Sequence, residues 1–142
     1  MTSGPLVVDT NVLVAGLIGS DSRSPPARIL DALLEGRVPF LLSVALLAEY
    51  RTVLLRPKIA RYHRLNATEI DIVLEQLALN AIVIEEPEPA PAAPDARDQH
   101  LWNLIHARRD TALVTGDRRL LDAKVAGTTI VSPTELLRIR PM

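Results

Sequence analysis

Val7 to Leu17 reads VVDTNVLVAGL, and how this stretch is read decides the fold. Leu6, Val7 and Val8 form a short apolar run with β-branched members. After Asp9 the apolar positions change spacing to Val12, Leu13, Gly16 and Leu17, the spacing of a helix. A buried strand therefore runs straight into a helix, and Asp9 stands at the carboxyl end of the strand, where α/β sheets place their chemistry. Thr10 and Asn11 can cap the helix, which leaves the Asp9 carboxylate free to face a crevice. The alternative is that Asp9 is itself the N-cap.

Outward from this unit, strands and helices alternate. Ser20 to Pro26 is a polar turn, and Pro25 and Pro26 open a helix through Leu34 that stops at Gly36. Phe40, Leu41 and Leu42 form a second strand, and Ser43 caps the helix VALLAEYRTVLL. On that helix Glu49 has Leu46 one turn before it and Val53 one turn after, so its carboxylate lies along an apolar face. Such a carboxylate must find a partner, a proton or a metal, unless Ala45 and Ala48 leave it room to reach water. Pro57 breaks the helix. Thr68 and Asp71 resemble a capping box for the helix carrying Ile70, Val73, Leu74 and Leu77. Ala81 to Ile84 is a third strand, and EEPEPAPAAP (Glu85 to Pro94) is an extended surface connection. Asp95 to Asp98 opens the helix DARDQHLWNLIHARRD. Ala112 to Val114, Arg118 to Ala123, Thr129 to Val131 and a last helix from Thr134, capped by Ser132-Pro133, complete the order. Short apolar strands alternating with helices predict a parallel sheet covered on both faces, in one domain spanning residues 1–142.

Composition narrows the chemistry. Of 142 residues, 48% are hydrophobic, enough for one continuous core, while 3% are aromatic, which argues against a surface of stacked rings. With no cysteine, disulfides, thiolate metal sites and Cys nucleophiles are excluded, so any metal is held by oxygen or His. A net charge of −1 draws no phosphate backbone in bulk. A nucleic acid would need a local patch, and the densest basic stretch is Arg51 to Arg64, with Arg51, Arg56 and Lys58 at its start; a solvated face explains it equally. No leader pattern and no membrane-spanning apolar run is visible, and a cytoplasmic protein with no membrane partner is expected.

Four acids remain: Asp9 and Asp117 just past strands, Glu49 on an apolar helix face, and Asp98 at a helix start. Asp98 has an ordinary explanation as a complement to the helix dipole. In a parallel sheet, strand ends and following helix starts share one edge, so the four can converge there. Packed carboxylates repel unless cations neutralise them, and all-oxygen ligands suit Mg²⁺ or Mn²⁺. The chemistry such a cluster suggests is phosphodiester hydrolysis.

VVDTNVLVAGL, SPPARIL, LLSVALLAEYRTVLLRPK, PDARDQHLW and LVTGDRRLL, in that order, resemble the PIN-domain family, in particular bacterial PIN toxins of toxin-antitoxin modules of the VapC type. The resemblance implies a three-layer α/β/α fold and a metal-dependent endoribonuclease that leaves a 3′-hydroxyl and a 5′-phosphate. It implies Asp9, Glu49, Asp98 and Asp117 as catalytic acids and ligands of Mg²⁺ or Mn²⁺, with Asn11, Ser43 and Thr115 as supporting residues. The late acidic segment departs from the family's common Asp-Pro-x-Asp-Asp, leaving Asp95 and Asp98 as rivals for one position; Asp98 is favoured because Asp95 suits an N-cap. Arg51, Arg56, Lys58 and Arg118 are candidates for holding RNA. The resemblance also implies a small antitoxin as partner; family members are often dimers, and the apolar residues of the Ile70 to Leu79 helix can serve a homodimer, though core packing explains them equally well.

Three rivals stand beside this reading. A phosphatase with an aspartyl nucleophile at Asp9 needs a second Asp two residues on, where this chain has Asn11. A nucleotide-binding module needs a Gly-rich phosphate loop after the first strand, and none is there. A PIN-like module that binds RNA or protein without cutting would be marked by lost acids, yet all four are present.

Overall fold

The computed structural model describes residues 4–142; the first three residues of the expected 1–142 domain lie outside the described residues. The elements follow the order β1 (Leu6–Val8), α1 (Thr10–Ile18), α2 (Pro25–Leu34), β2 (Leu41–Leu42), α3 (Val44–Leu54), α4 (Pro57–His63), α5 (Ala67–Asn80) and β3 (Ile82–Val83). A 3-10 turn (Ala96–Asp98) then leads into α6 (Gln99–Ile105), β4 (Ala112–Val114), α7 (Arg118–Ala123), β5 (Thr129–Val131) and α8 (Pro133–Ile139).

All strand pairings are parallel. β4 lies between β1 and β5, with Val7 opposite Leu113 and Leu113 opposite Ile130. β2 pairs with β3, and a parallel bridge between Leu6 and Phe40 joins the two sheets, with Leu6 N–H donating to Pro39 C=O at 3.0 Å. The order across the molecule is therefore β3-β2-β1-β4-β5. The chain leaves β1 toward one side for β2 and β3 and returns on the other for β4 and β5. The loops after β1 and β4 thus part at a topological switch point, and they carry Asp9 and Asp117.

Helices cover the sheet, giving a three-layer α/β/α fold. α1 packs on α2 and α3, α5 on α2 and α3, α6 on β1 and β2, and α7 on β5. β1 and β4 are buried along their whole length, as a sheet with two covered faces requires, whereas β3 is an exposed edge. Gly16 allows the close packing of α1 on α2: a Cβ there would stand 2.9 Å from the Pro26 carbonyl oxygen. α2 ends as expected at Gly36, where φ is +67° and the N–H groups of Gly36 and Arg37 cap the carbonyls of Leu33 and Ala32.

One open choice is settled and two local expectations are corrected. Asp9, in extended conformation, is the N-cap of α1, and its Oδ1 accepts from Thr10 N–H at 2.8 Å. The capping box of α5 is Asn66 with Glu69, each side chain accepting the other's backbone N–H, while Asp71 pairs with Arg51 instead of Thr68. The helix expected from Asp95 to Asp110 is only α6, because Asp95 caps a 3-10 turn and the chain must reverse into β4 through Asp110, whose φ is +60°. In α5, Ile70, Leu74 and Leu77 are core, leaving Ile72 and Leu79 exposed. Among the described residues no helix is long and apolar enough to cross a membrane.

Candidate functional site

The site begins with backbone geometry at the carboxyl edge of β1 and β4. Asp9 N–H donates to Val114 C=O at 2.9 Å, which holds the two strand ends side by side just where the chain leaves the sheet. The Asp9 carboxylate then serves two partners. Oδ1 caps α1, and Oδ2 accepts from the Thr115 hydroxyl at 2.8 Å. Thr115 is fully buried, and its oxygen in turn accepts from Asp117 N–H at 3.0 Å. Asn11 closes the link: its Oδ1 accepts from Gly116 N–H at 2.9 Å, and its Nδ2 reaches Asp9 Oδ2 at 3.3 Å and Thr115 Oγ1 at 3.4 Å. The first and fourth strand ends are thereby joined by side chains as well as by the sheet.

Glu49 enters from α3, its side chain 34% exposed. Its Oε2 accepts from the Thr10 hydroxyl and its Oε1 meets His100 Nε2 at 3.1 Å. Both options open from sequence hold in part: the carboxylate has found partners and, one-third exposed, it also reaches water. Tyr50, the next residue, is fully buried and donates its hydroxyl hydrogen to Val8 C=O, immediately before Asp9. Burial first, and then the charges of Asp9 and Glu49, push the Tyr50 phenol well above its ordinary range, so it remains a donor.

Asp98 closes the 3-10 turn and stands at the N-cap position of α6, but its carboxylate makes no capping bond. Asp95 is committed elsewhere. It caps the turn through Arg97 N–H at 2.9 Å and pairs with the Arg97 guanidinium at 2.8 Å, which holds its carboxyl down at about 2.

Electrostatics ties three of the acids together. Burial pushes the Asp9 carboxyl up; the bonds from Thr115 and Thr10 pull against this, and the charges of Asp98 and Glu49 add to the rise. Asp98 is also raised, by burial first and then by the charges of Asp95, Glu49 and Asp117. Asp117 differs. Burial pushes it up, but its bonds from Arg119 hold it below the ordinary value. It is the N-cap of α7, with Oδ1 accepting from Arg119 N–H at 2.9 Å.

Among the described residues no three His, Asp or Glu side chains are gathered closely enough to cage an ion as they stand. The donor set nevertheless fits a hard divalent cation in chemistry and charge: it is all oxygen, and Asp9 and Asp98 are held above their ordinary values partly by neighbouring negative charge, the condition a cation relieves. A cavity of about 390 Å³ opens between the 3-10 turn and α7, lined in part by Asp98, Asp117 and Arg119. A larger one of about 510 Å³, between α7, β5 and α8, is lined by none of the four acids.

The remaining sequence candidates fall in different places. Ser43 caps α3 through Leu46 N–H at 3.1 Å. Arg51 pairs with Asp71 of α5 at 2.7 Å. Arg56 and Lys58 are exposed at the start of α4, and Arg118 is exposed beside Asp117. Two residues that sequence reasoning missed are His100 and Tyr50. Neither carries a motif, and only the contacts of His100 with Glu49 and of Tyr50 with Val8 make them notable.

A doubly covered parallel sheet with carboxylates at its switch point places the chain among the α/β proteins that work at the carboxyl ends of their strands. More narrowly, the PIN domain family model matches residues 5–119, from just before β1 into α7, and the chain belongs to the PIN-domain family. Members of this family are generally nucleases that bind RNA and typically use divalent metals. No curated protein matches the chain in sequence.

Proposed function

We propose that the protein is a Mg²⁺- or Mn²⁺-dependent endoribonuclease acting as the toxin of a toxin-antitoxin pair, with Asp9, Glu49, Asp98 and Asp117 as its acids. The observation that carries the reading is the mutual charge of Asp9, Glu49 and Asp98 at the switch point, joined through Thr115 to the loop that bears Asp117. The toxin role rests on the likeness of the ordered motifs to bacterial PIN toxins.

Asp9, Glu49, Asp98 and Asp117 would hold the metal; Asp98 is preferred to Asp95 because Asp95 is spent on its cap and on Arg97. A bound divalent ion supplies positive charge that acidifies a water and offsets charge developing on the phosphate. The chain's own groups do the rest. Thr115 Oγ1 and Thr10 N–H keep the Asp9 carboxylate oriented, and Thr10 Oγ1 does so for Glu49. The Asp98 carboxylate, free of a capping bond, can accept the proton of the attacking water. Arg118, with Arg56 and Lys58, offers positive charge to the RNA backbone.

The test is cleavage of a labelled single-stranded RNA by purified protein with Mn²⁺ or Mg²⁺, with EDTA and Asp9→Asn as controls. Metal-dependent cutting lost in both controls is expected. Cutting by Asp9→Asn at the wild-type rate would overturn the assignment. For the toxin role, expression should arrest growth, and Asp9→Asn should abolish the arrest.

A further inference from the structure

Glu49 differs from the other acids in how it is held. Asp9, Asp98 and Asp117 sit at helix starts, where the backbone itself limits their reach, but Glu49 projects from the middle of α3 on a long side chain. Such a side chain has rotamer freedom that must be removed before its oxygens can serve one position. Two other helices remove it. Thr10 of α1 donates to Oε2, and His100 of α6 meets Oε1 at 3.1 Å. Thr10 directly follows Asp9 and His100 lies two residues beyond Asp98, so each contact ties Glu49 to the neighbourhood of another acid.

We infer that His100 is a positioning residue: its Nε2–H donates to Glu49 Oε1 and fixes this carboxylate relative to Asp9 and Asp98. A carboxylate accepts only, so the nitrogen facing it carries the hydrogen. The second ring nitrogen, Nδ1, is buried and has no hydrogen-bond partner among the described residues. The contact with Glu49 is therefore the polar bond that His100 makes through its ring. Glu49 is 34% exposed, so water can replace this donor when the ring is removed, and what is lost is mainly the fixed orientation of Glu49. In metal sites, hydrogen-bond partners that orient ligands contribute about 10- to 100-fold in metal affinity.

This inference rests on the metal-dependent reading above, and its test separates the two. Mn²⁺ binding is measured by calorimetry on the full chain for wild type, His100→Ala and His100→Gln, together with urea unfolding of each without metal. Ala is expected to weaken Mn²⁺ binding by about tenfold or more while leaving the unfolding midpoint in place, and Gln, which keeps an N–H donor, to recover most of the affinity. An Ala variant within about twofold of wild type overturns the role of His100 alone. So does a Gln variant as weak as Ala, or a fall in midpoint that parallels the loss of binding. Wild type that binds no Mn²⁺ overturns the metal-dependent reading, and this inference with it.

Discussion

Thr115 donates its hydroxyl hydrogen to Oδ2 of Asp9 at 2.8 Å, joining residues 106 apart in the chain. The bond does two things at once. It satisfies a carboxylate oxygen that is mostly removed from water, and it opposes the burial that pushes Asp9 toward its protonated form.

Thr115→Val keeps the shape of this side chain and deletes the donor. Asp9 Oδ2 keeps only the longer bond from Asn11 at 3.3 Å, and Asp117 N–H loses its acceptor, so stability in urea should fall by about 1–3 kcal/mol. The Asp9 carboxyl should rise further, which carboxyl NMR titration reads directly. An unchanged Asp9 titration would mean that the hydroxyl does not hold the charge.

Asp9 sets a distinctive dependence of stability on pH. Its folded-state carboxyl lies above the ordinary value of 3.8, so the native state binds this proton more tightly than the unfolded chain. The contribution is therefore most favourable at low pH and is lost as pH rises from the unfolded value through the raised folded one. Asp9→Asn removes that loss. Asn caps helices as well as Asp, and its amide can donate to Thr115. Urea unfolding of both proteins between about pH 4 and pH 7 should show Asp9→Asn gaining on wild type as pH increases. A difference that is constant across the range, or that shrinks, would contradict the shift.

The contact of α1 with α2 predicts a sharp cost at Gly16. Ala is the better helix former, yet its Cβ would meet Pro26 O at 2.9 Å and Leu30 Cβ at 3.2 Å, both on a packed helix. Gly16→Ala should destabilise by about 1–3 kcal/mol despite its higher propensity. Thermal unfolding decides, and a gain in Tm would show that α2 shifts freely.

At the start of α5 the two possible capping boxes make opposite predictions. Asn66→Ala should cost about 1 kcal/mol, because Asn66 accepts from Glu69 N–H at 2.8 Å. Thr68→Ala should be close to neutral, since Thr68 lies inside the helix. Equal losses in the two variants would restore the Thr68 assignment.

These contrasts also show which features are legible in a sequence. Strands β1, β2 and β4 are, because Leu6–Val8, Phe40–Leu42 and Ala112–Val114 are short apolar runs bounded by polar turns, and each is buried. At Asp9 the sequence offers capping or a free carboxylate as alternatives, yet a carboxylate has two oxygens, and Asp9 uses one to cap α1 and the other to accept from Thr115. The box at Asn66 is masked in the sequence, because Thr68-x-x-Asp71 presents a similar pattern two residues on. His100 gave no signal at all. Its relation to Glu49 spans 51 residues and depends on how α6 lies against α3, which no local spacing encodes.

The strand order has a temporal consequence. β1 is made first, but its partners are residues 40 and 112–114, and the oxygen that holds Asp9 belongs to Thr115. While the chain is being synthesised, the earliest acid therefore waits for more than a hundred later residues before the place it occupies exists. Folding dominated by such distant pairings is slow, so the bond that orients Asp9 forms only after Thr115 has joined the chain.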